Sequence, residues 1–405
     1  ENHLKGQTQE SFTDQVKKAS PDIVGLTCTV KDRHWAFRTA RAIKERYGNV
    51  PLILGGPFAT PCHREIIEDI PFVDVVVRGE GEYTLLDLVR HIKQRRDFSD
   101  IKGITYRNGQ EVRVNENRPL IKNLDDLPWP SFELLNFDKY PKHKNMSFAS
   151  IVFGRGCPYS CIYCTNKVIW HKLYRVMSPE RAVSQVKYLA NNGFKYIKIY
   201  DDSLCVNRKW VMQFAECWKK HRLDVMFQCL ARPDEIDRDI ARTLKSIRCC
   251  SVYLGIEHGS PRVQHLMKKN LEPERIEEAI KALRDEKIRV TPGHIVNFPG
   301  ETLDDVTTSI EFFQKLNREY GVNGASLPGL LEIYPGTEVE RIAIENGLLH
   351  NFRWTRYRGI EHNLLVGASP DVPLYENIPT ERIVKYCIRE AVRLEWYEAL
   401  RPWIA

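Results

Sequence analysis

Twice along this chain a short apolar run leads into an amphipathic helical stretch, and the pair then repeats. In residues 22–95, "DIVGLTCTV" leads into "WAFRTARAIKERYG", "VPLILGG" into "PCHREIIED", and "FVDVVVRG" into "YTLLDLVRHIKQRR". From Phe148 the rhythm resumes at "FASIVFG", "YIKIYDD", "VMFQCLA", "SVYLGIE", "RVTPGHIVNFPG" and "GASLPGLLEIYPG". Helices are predicted between these runs, at about 178–192, 207–221, 237–246, 273–286 and 302–318. Strands that alternate with helices pair in parallel and bury their apolar faces under those helices. The expected fold class is α/β. A doubly wound sheet comes first, in residues 1–115, then a linker over 116–147, a full or partial βα barrel over 148–340, and a helical region over 341–405.

Two details qualify the first sheet. Only three parallel strands are evident, and "NHLKGQTQESFTDQVKKASP" reads as a loop and one helix that follow an earlier strand. The domain is therefore expected to lack its first strand. Residues 101–115 read as a hairpin turning at Asn108-Gly109. The following "NLDDLPWPSFELLNFDKYP" is proline-rich and reads as an ordered linker.

Eleven cysteines are scattered over 405 residues, mostly in apolar or helical contexts. They form no disulfide framework and point to a reduced, cytoplasmic protein. The chain shows no signal-peptide pattern and no apolar run long enough for a transmembrane segment. A net charge of +7, spread along the chain, is too weak to argue for nucleic acid.

Three of the cysteines break the scatter. In "FGRGCPYSCIYCT", Cys157, Cys161 and Cys164 follow the first barrel strand at spacings of four and three. Clustered thiolates select zinc, copper(I) or iron–sulfur clusters. A closed zinc site needs a fourth ligand, for which His171 is the nearest candidate. A cubane cluster on three thiolates instead leaves one iron open to a substrate or cofactor.

"CPYSCIYC" resembles the CxxxCxxC signature of radical S-adenosylmethionine (SAM) enzymes, and later strand ends strengthen the likeness. "YLGIEHGS" resembles the GIESGS segment, with His258 where Ser is commoner. "GHIVNFPGET" resembles the GxIxGxPGET pattern, with Asn297 where Gly is commoner, and "EIYPGTEV" resembles the PGT segment. The resemblance implies a partial (βα)6 barrel in which Cys157, Cys161 and Cys164 ligate a [4Fe–4S] cluster. It implies that Tyr163 and Ile295 lie against the adenine of SAM, and that Asp201, Asp202, Arg232 and Glu257 hold its methionine and ribose portions. Reductive cleavage of SAM would then give a 5′-deoxyadenosyl radical. The residues themselves leave simpler roles open: Asp201-Asp202 as a helix cap, Arg232 as a structural ion pair, Glu257 as the partner of a basic side chain. Gly293, Pro299 and Gly300 are expected to shape their turn.

Residues 20–135 closely resemble the Rossmann-like cobalamin (B12)-binding domain and linker of B12-dependent radical SAM proteins. That implies cobalamin at the strand ends, with Gly55, Gly56, Gly79, Glu80 and Gly81 around its nucleotide tail and loop 28–35 under the cobalt. "DRHWAF" nearly matches the DxHxxG ligand motif, with Phe37 in place of Gly, but follows the wrong strand. Arg33, His34 or Trp35 is therefore expected to restrict the lower face without binding the metal.

The function implied is a cobalamin-dependent radical SAM enzyme, foremost a methyltransferase acting on an unactivated carbon, with a porphyrin-cyclase-like oxidative or rearrangement enzyme as the alternative. A methylthiotransferase would need three more cysteines in the N-terminal domain, where only Cys28 and Cys62 occur. A non-catalytic cobalamin or cluster sensor conflicts with the intact strand-end motifs. The expected partners are a small, natural-product-like substrate and an external one-electron donor of the flavodoxin or ferredoxin type. The aromatic residues Trp354, Tyr357, Trp396, Tyr397 and Trp403 suggest a wide site for a flat or lipid-like molecule. No catalytic side chain can be named from the sequence.

Overall fold

A computed structural model describes residues 9–48, 50–135, 137, 142–143, 146–322, 328–358 and 371–394. Trp396, Tyr397 and Trp403 lie outside the described residues.

Helix α1 (Gln9–Ala19) precedes a sheet of β1 (Val24–Thr27), β2 (Leu52–Gly55), β3 (Val75–Val77), β4 (Ile104–Asn108) and β5 (Glu111–Val114). The strands lie in that order, the first three parallel and the last two antiparallel. Gly109 takes the positive φ that the β4–β5 turn requires. Helices α2 (Arg33–Tyr47) and α3 (Ala59–Asp69) connect the parallel strands, and α4 (Gly81–Gln94) leads from β3 to the antiparallel β4.

The second sheet contains β6 (Lys142–His143), β7 (Met146–Ile151), β10 (Tyr196–Ile199), β11 (Met226–Ala231), β12 (Cys249–Glu257), β13 (Arg289–Val296) and β14 (Gly329–Leu330). A small pair, β8 (Gly154–Arg155) with β9 (Arg175–Val176), and helix α5 (Asn166–Trp170) intervene after β7. The order is β14-β13-β12-β11-β10-β7-β6, all neighbours parallel except β6 with β7. This is the open, parallel half-barrel expected.

Capping side chains explain where the returning helices begin. Ser178, Asn207, Asp237, Thr302 and Thr337 each accept a backbone N–H from the first turn of α6 (Pro179–Asn191), α7 (Arg208–Lys220), α8 (Arg238–Ser246), α11 (Leu303–Tyr320) and α12 (Glu338–Glu345). Ser260 does the same for the short α9 (Pro261–Leu266). Helix α10 (Pro273–Asp285) starts with proline at its first position instead.

The sixth barrel strand ends sooner than predicted. Among the described residues Gly329–Leu330 pair with β13, after which the backbone changes partner. Ile333 N–H donates to Pro373 and Tyr375 N–H donates to Leu331, so a returning segment takes over the hydrogen bonding. That segment leads into α13 (Thr380–Arg393), which packs on α11.

One apolar core lies between the barrel sheet and its helices. A second ignores the domain division. Phe37, Phe58 and Ile66 of the N-terminal domain share it with Val263, Met267, Phe298, Leu331 and Trp354. The barrel's β12–β14 side is thereby joined to the N-terminal domain by packed side chains.

Candidate active site at the barrel strand ends

The cysteine loop follows β8. Cys157, Cys161 and Cys164 are free and half-buried, and each sulfur faces an N–H donor. Cys157 accepts from the backbone of Tyr159 and Cys164 from that of Asn166, while Arg232 Nη1 lies 3.8 Å from Cys161 Sγ. Such donors favour a thiolate over a thiol, which is what cluster ligation requires. Burial opposes them, pushing the Cys157 thiol up to about 12 and Cys164 up to about 11. Loading a metal cluster here must therefore release protons. His171 is exposed just after α5. Among the described residues no three His, Cys, Asp or Glu side chains gather as they do around a single ion.

Asp201 and Asp202, at the end of β10, brace this loop and do not cap α7, which Asn207 caps. Asp201 accepts the N–H groups of Phe153 and Gly154 at 2.7 and 2.9 Å, and Asp202 accepts that of Gly156 at 3.2 Å. A Cβ on Gly154 would sit 2.9 Å from Asp201 Oδ2, so only glycine lets the two strand ends approach this closely. Burial pushes the Asp201 carboxyl up to about 7 against the pull of those two hydrogen bonds.

Arg232 ends β11. Its guanidinium makes a two-pronged pair with Asp234 at 2.9 and 3.0 Å, donates to the Lys269 carbonyl, and stacks 3.6 Å from the Tyr159 ring centre. It is thus a structural ion pair that also reaches the cysteine loop. Glu257 ends β12 at a φ of +71°, a conformation costly for a residue with a side chain. Its carboxylate lies 3.0 Å from Lys269 Nζ, which also donates to the Tyr163 hydroxyl at 3.3 Å. Glycines leave room for this buried pair. A Cβ on Gly293 would stand 2.5 Å from Glu257 Oε2, and one on Gly255 2.9 Å from Lys269 Nζ. Gly293 therefore serves the carboxylate more directly than the turn it was predicted to shape. Ile295 and Tyr163 pack at the edge of the core shared with the N-terminal domain.

The two positions that depart from the expected motifs have partners of their own. His258 is fully buried, with Nε2 3.1 Å from Glu301 Oε1 and Nδ1 accepting from Ser260 N–H. Asn297, at φ +75°, exchanges two hydrogen bonds with the backbone of Ile378. Asparagine tolerates that backbone and its amide ties the returning C-terminal segment to β13.

A cavity of about 760 Å3 separates the strand ends of the two sheets. Gly56, Thr60, Gly79, Glu80 and Gly81 line it from the N-terminal domain, and Val152, Arg155, Trp170, Tyr200 and Asp202 from the barrel. Gly55 lies at the end of β2 just before this lining. Glu80 is not free for a ligand. Burial raises its carboxyl, but bonds from Arg155, Arg175 and the Ile121 N–H outweigh that and hold it low. Nε and Nη2 of the buried Arg175 have no hydrogen-bond partner among the described residues.

The side chains of loop 28–35 that were expected under the cobalt have protein partners. Arg33 is wholly buried, and its guanidinium donates to the carbonyls of Val30, Trp354, Tyr357 and Asp371. It also lies between the rings of Phe58 and Trp354. His34 Nε2 is 2.6 Å from the Tyr357 carbonyl, and Trp35 meets Phe12 edge to face. These side chains hold the C-terminal region and α1, and none lines the cavity. Trp354 is likewise core, 4% exposed, so it offers no surface to a flat substrate.

Lys269, Tyr159, Asp234 and Glu301 are site residues that the sequence reading missed. Glu301 was in view as part of "PGET", and Asp234 stands two residues after Arg232. Nothing in the sequence marks Lys269, which lies beyond α9 and twelve residues from its partner.

Three free thiols lie on a loop braced by carboxylates at the mouth of a half-barrel, and the start of that loop, at Gly154 and Arg155, borders a cavity lined on its far side by glycines of the first sheet. Residues 151–313 match the Radical SAM superfamily, and residues 3–89 match the B12 binding domain. An uncharacterized methyltransferase of Pyrococcus horikoshii is 33% identical over 347 residues, 85% of this chain and 74% of that protein. The anaerobic magnesium-protoporphyrin IX monomethyl ester cyclase of Rubrivivax gelatinosus is 26% identical over 329 residues, and the match spans 79% of this chain but only 58% of the cyclase. Among solved structures, the radical SAM methyltransferase TsrM of Kitasatospora setae, determined with cobalamin and a [4Fe–4S] cluster, aligns with a TM-score of 0.70 at 17% identity. That alignment covers 85% of this chain and 68% of TsrM. The chain belongs to the radical SAM enzymes that carry a B12-binding domain.

Proposed function

We propose that this chain is a cobalamin-dependent radical SAM methyltransferase acting on an unactivated carbon of a small molecule. The observation that carries the reading is the set of three half-buried thiols, each facing an N–H donor, on a loop whose neighbours Gly154, Arg155 and Asp202 line a cavity that two sets of strand ends share. Cys157, Cys161 and Cys164 hold a [4Fe–4S] cluster in this reading. Asp202, Arg232 and the Glu257–Lys269 pair contact SAM, Tyr163 and Ile295 pack on its adenine, and Asp201 sets the shape of the loop from behind. Gly56, Gly79 and Gly81 let cobalamin approach the backbone. Together the bound groups supply a one-electron path, a radical source and a methyl carrier. The protein's part is to place them across one cavity and to keep water from the reacting carbon.

The relation to the Rubrivivax cyclase favours a second reading, in which the same radical step ends in ring closure or oxidation. One experiment separates the two. The chain is reconstituted without oxygen with iron, sulfide and hydroxocobalamin, then supplied with SAM bearing a deuterated methyl group and a flavodoxin-type reductant. Release of 5′-deoxyadenosine together with S-adenosylhomocysteine supports methyl transfer. 5′-Deoxyadenosine alone supports the cyclase-like reading. Neither product from fully cluster-loaded protein overturns both.

A further inference from the structure

The inner face of the half-barrel below the cofactor level carries a charge pattern that no step above uses. Strand register sorts its side chains into rows. Phe148, Tyr196 and Met226 lie opposite one another, and Ser150, Lys198, Gln228 and Ser251 form the next row toward the cavity. Ile197 and Ile199 point the other way, into the core under the helices, so Tyr196, Lys198 and Tyr200 share the concave face. Tyr200 and Val152, about half exposed, open this face to the interdomain cavity. Lys198 lies two residues below Tyr200, about 7 Å along the strand.

Lys198 has no carboxylate partner among the described residues. Its Nζ lies 5.1 Å from the centre of the Phe148 ring, a contact that holds a cation without neutralising it. Gln228 accepts from the Tyr196 hydroxyl at 2.9 Å, which leaves its amide NH2 as a free donor beside the ammonium. The Ser150 hydroxyl completes the group on the other side, and Arg289 continues the row beyond Ser251. Asp202 and Glu257, at the strand ends above, are themselves held by Gly156 and Lys269. A half-buried cation among donors, with no carboxylate partner among the described residues, favours an incoming anion.

We propose that the molecule this enzyme modifies carries a carboxylate or phosphate that reaches past the cofactor level into the barrel and is held by Lys198, with Gln228 and Ser150 beside it. The inference deepens the functional reading above and rests on it. Tyr200 and Val152 then flank the apolar body of the same molecule.

The test uses holoprotein reconstituted with cluster, SAM and cobalamin, titrated by calorimetry with three matched probes: 4-phenylbutyrate, 3-phenylpropyl phosphate and the neutral 4-phenylbutyramide. At least one anion is expected to bind about tenfold or more tightly than the amide, and the stronger of the two anions identifies the group. Lys198→Met should bring that ratio close to one, and Lys198→Arg should keep it. Iron content and thermal melting of each variant show whether it is folded and loaded. Equal binding of anions and amide, no binding of any probe at millimolar concentration, or a ratio that survives in Lys198→Met overturns the proposal. 5′-Deoxyadenosine formation, followed in the same preparations, reports separately on the functional reading, because the probe ratio does not depend on turnover.

Discussion

The two sheets both bring strand ends to one cavity but equip their ends differently. The barrel ends carry charged groups in close pairs: Glu257 with Lys269 and His258 with Glu301, both buried, and Arg232 with the partly exposed Asp234 two residues on. The N-terminal ends offer the cavity glycines and Thr60, and turn their charges into the protein. Arg33 holds four carbonyls, three of them in the C-terminal region, and Glu80 holds two arginines of the barrel. One sheet recognises through side chains, the other through backbone and space. The charges of the second sheet keep the domains together.

The largest expected effect lies in the cysteine loop. Replacing Cys157, Cys161 or Cys164 with Ala should remove essentially all cluster iron and abolish 5′-deoxyadenosine formation, read by iron analysis and product chromatography. Full iron retention in any one of these variants would break the assignment of that side of the comparison.

Next comes the buried pair at β12. Glu257→Gln strands the Lys269 ammonium in a site with 5% side-chain exposure. Breaking a buried pair from one side costs about 3–5 kcal/mol. Denaturant unfolding should show that loss, and a second change, Lys269→Met, should recover part of it. Additive losses would mean the two side chains do not act as a unit.

Arg33→Met tests the other sheet. It leaves several carbonyls without donors and should cost about 2–3 kcal/mol. Cobalamin retained after desalting should be nearly unchanged. A variant of normal stability that fails to keep cobalamin would return Arg33 to the ligand site and erase the contrast.

The smallest effect concerns Asp201. Its folded carboxyl titrates at about 7, above the unfolded value of 3.8. Its stabilising contribution is therefore full below about 3.8 and is lost as pH rises through 7. Asp201→Asn is neutral throughout, so between pH 4 and 7 the cluster-free wild type should lose stability relative to the variant. Parallel denaturation curves for the two proteins would show that Asp201 does not titrate in this range.

What the sequence revealed follows the same division. The βα rhythm, the hairpin at Asn108-Gly109 and the cysteine triplet were legible because each depends on residues close in sequence. Asp202, Arg232 and Glu257 were legible because strand ends in a half-barrel converge on one mouth. The packing of Arg33 was not legible, because three of its four acceptors lie more than 300 residues away at Trp354, Tyr357 and Asp371. Lys269 was silent for a related reason: it sits outside any regular element, and only the fold brings it to Glu257. The sixth strand was overextended because its apolar alternation also serves the pairing with residues 373–375.

The core that Phe37 and Phe58 share with Val263, Met267, Phe298 and Trp354 bears on how such a protein can be taken apart. Neither half finishes its apolar interior alone. A chain cut within the linker would leave each fragment with a sticky face where the other belongs, and the intact protein should melt in one cooperative step with no folded half surviving. Exchange of the N-terminal unit between related enzymes then succeeds only when the matching patch on the barrel travels with it.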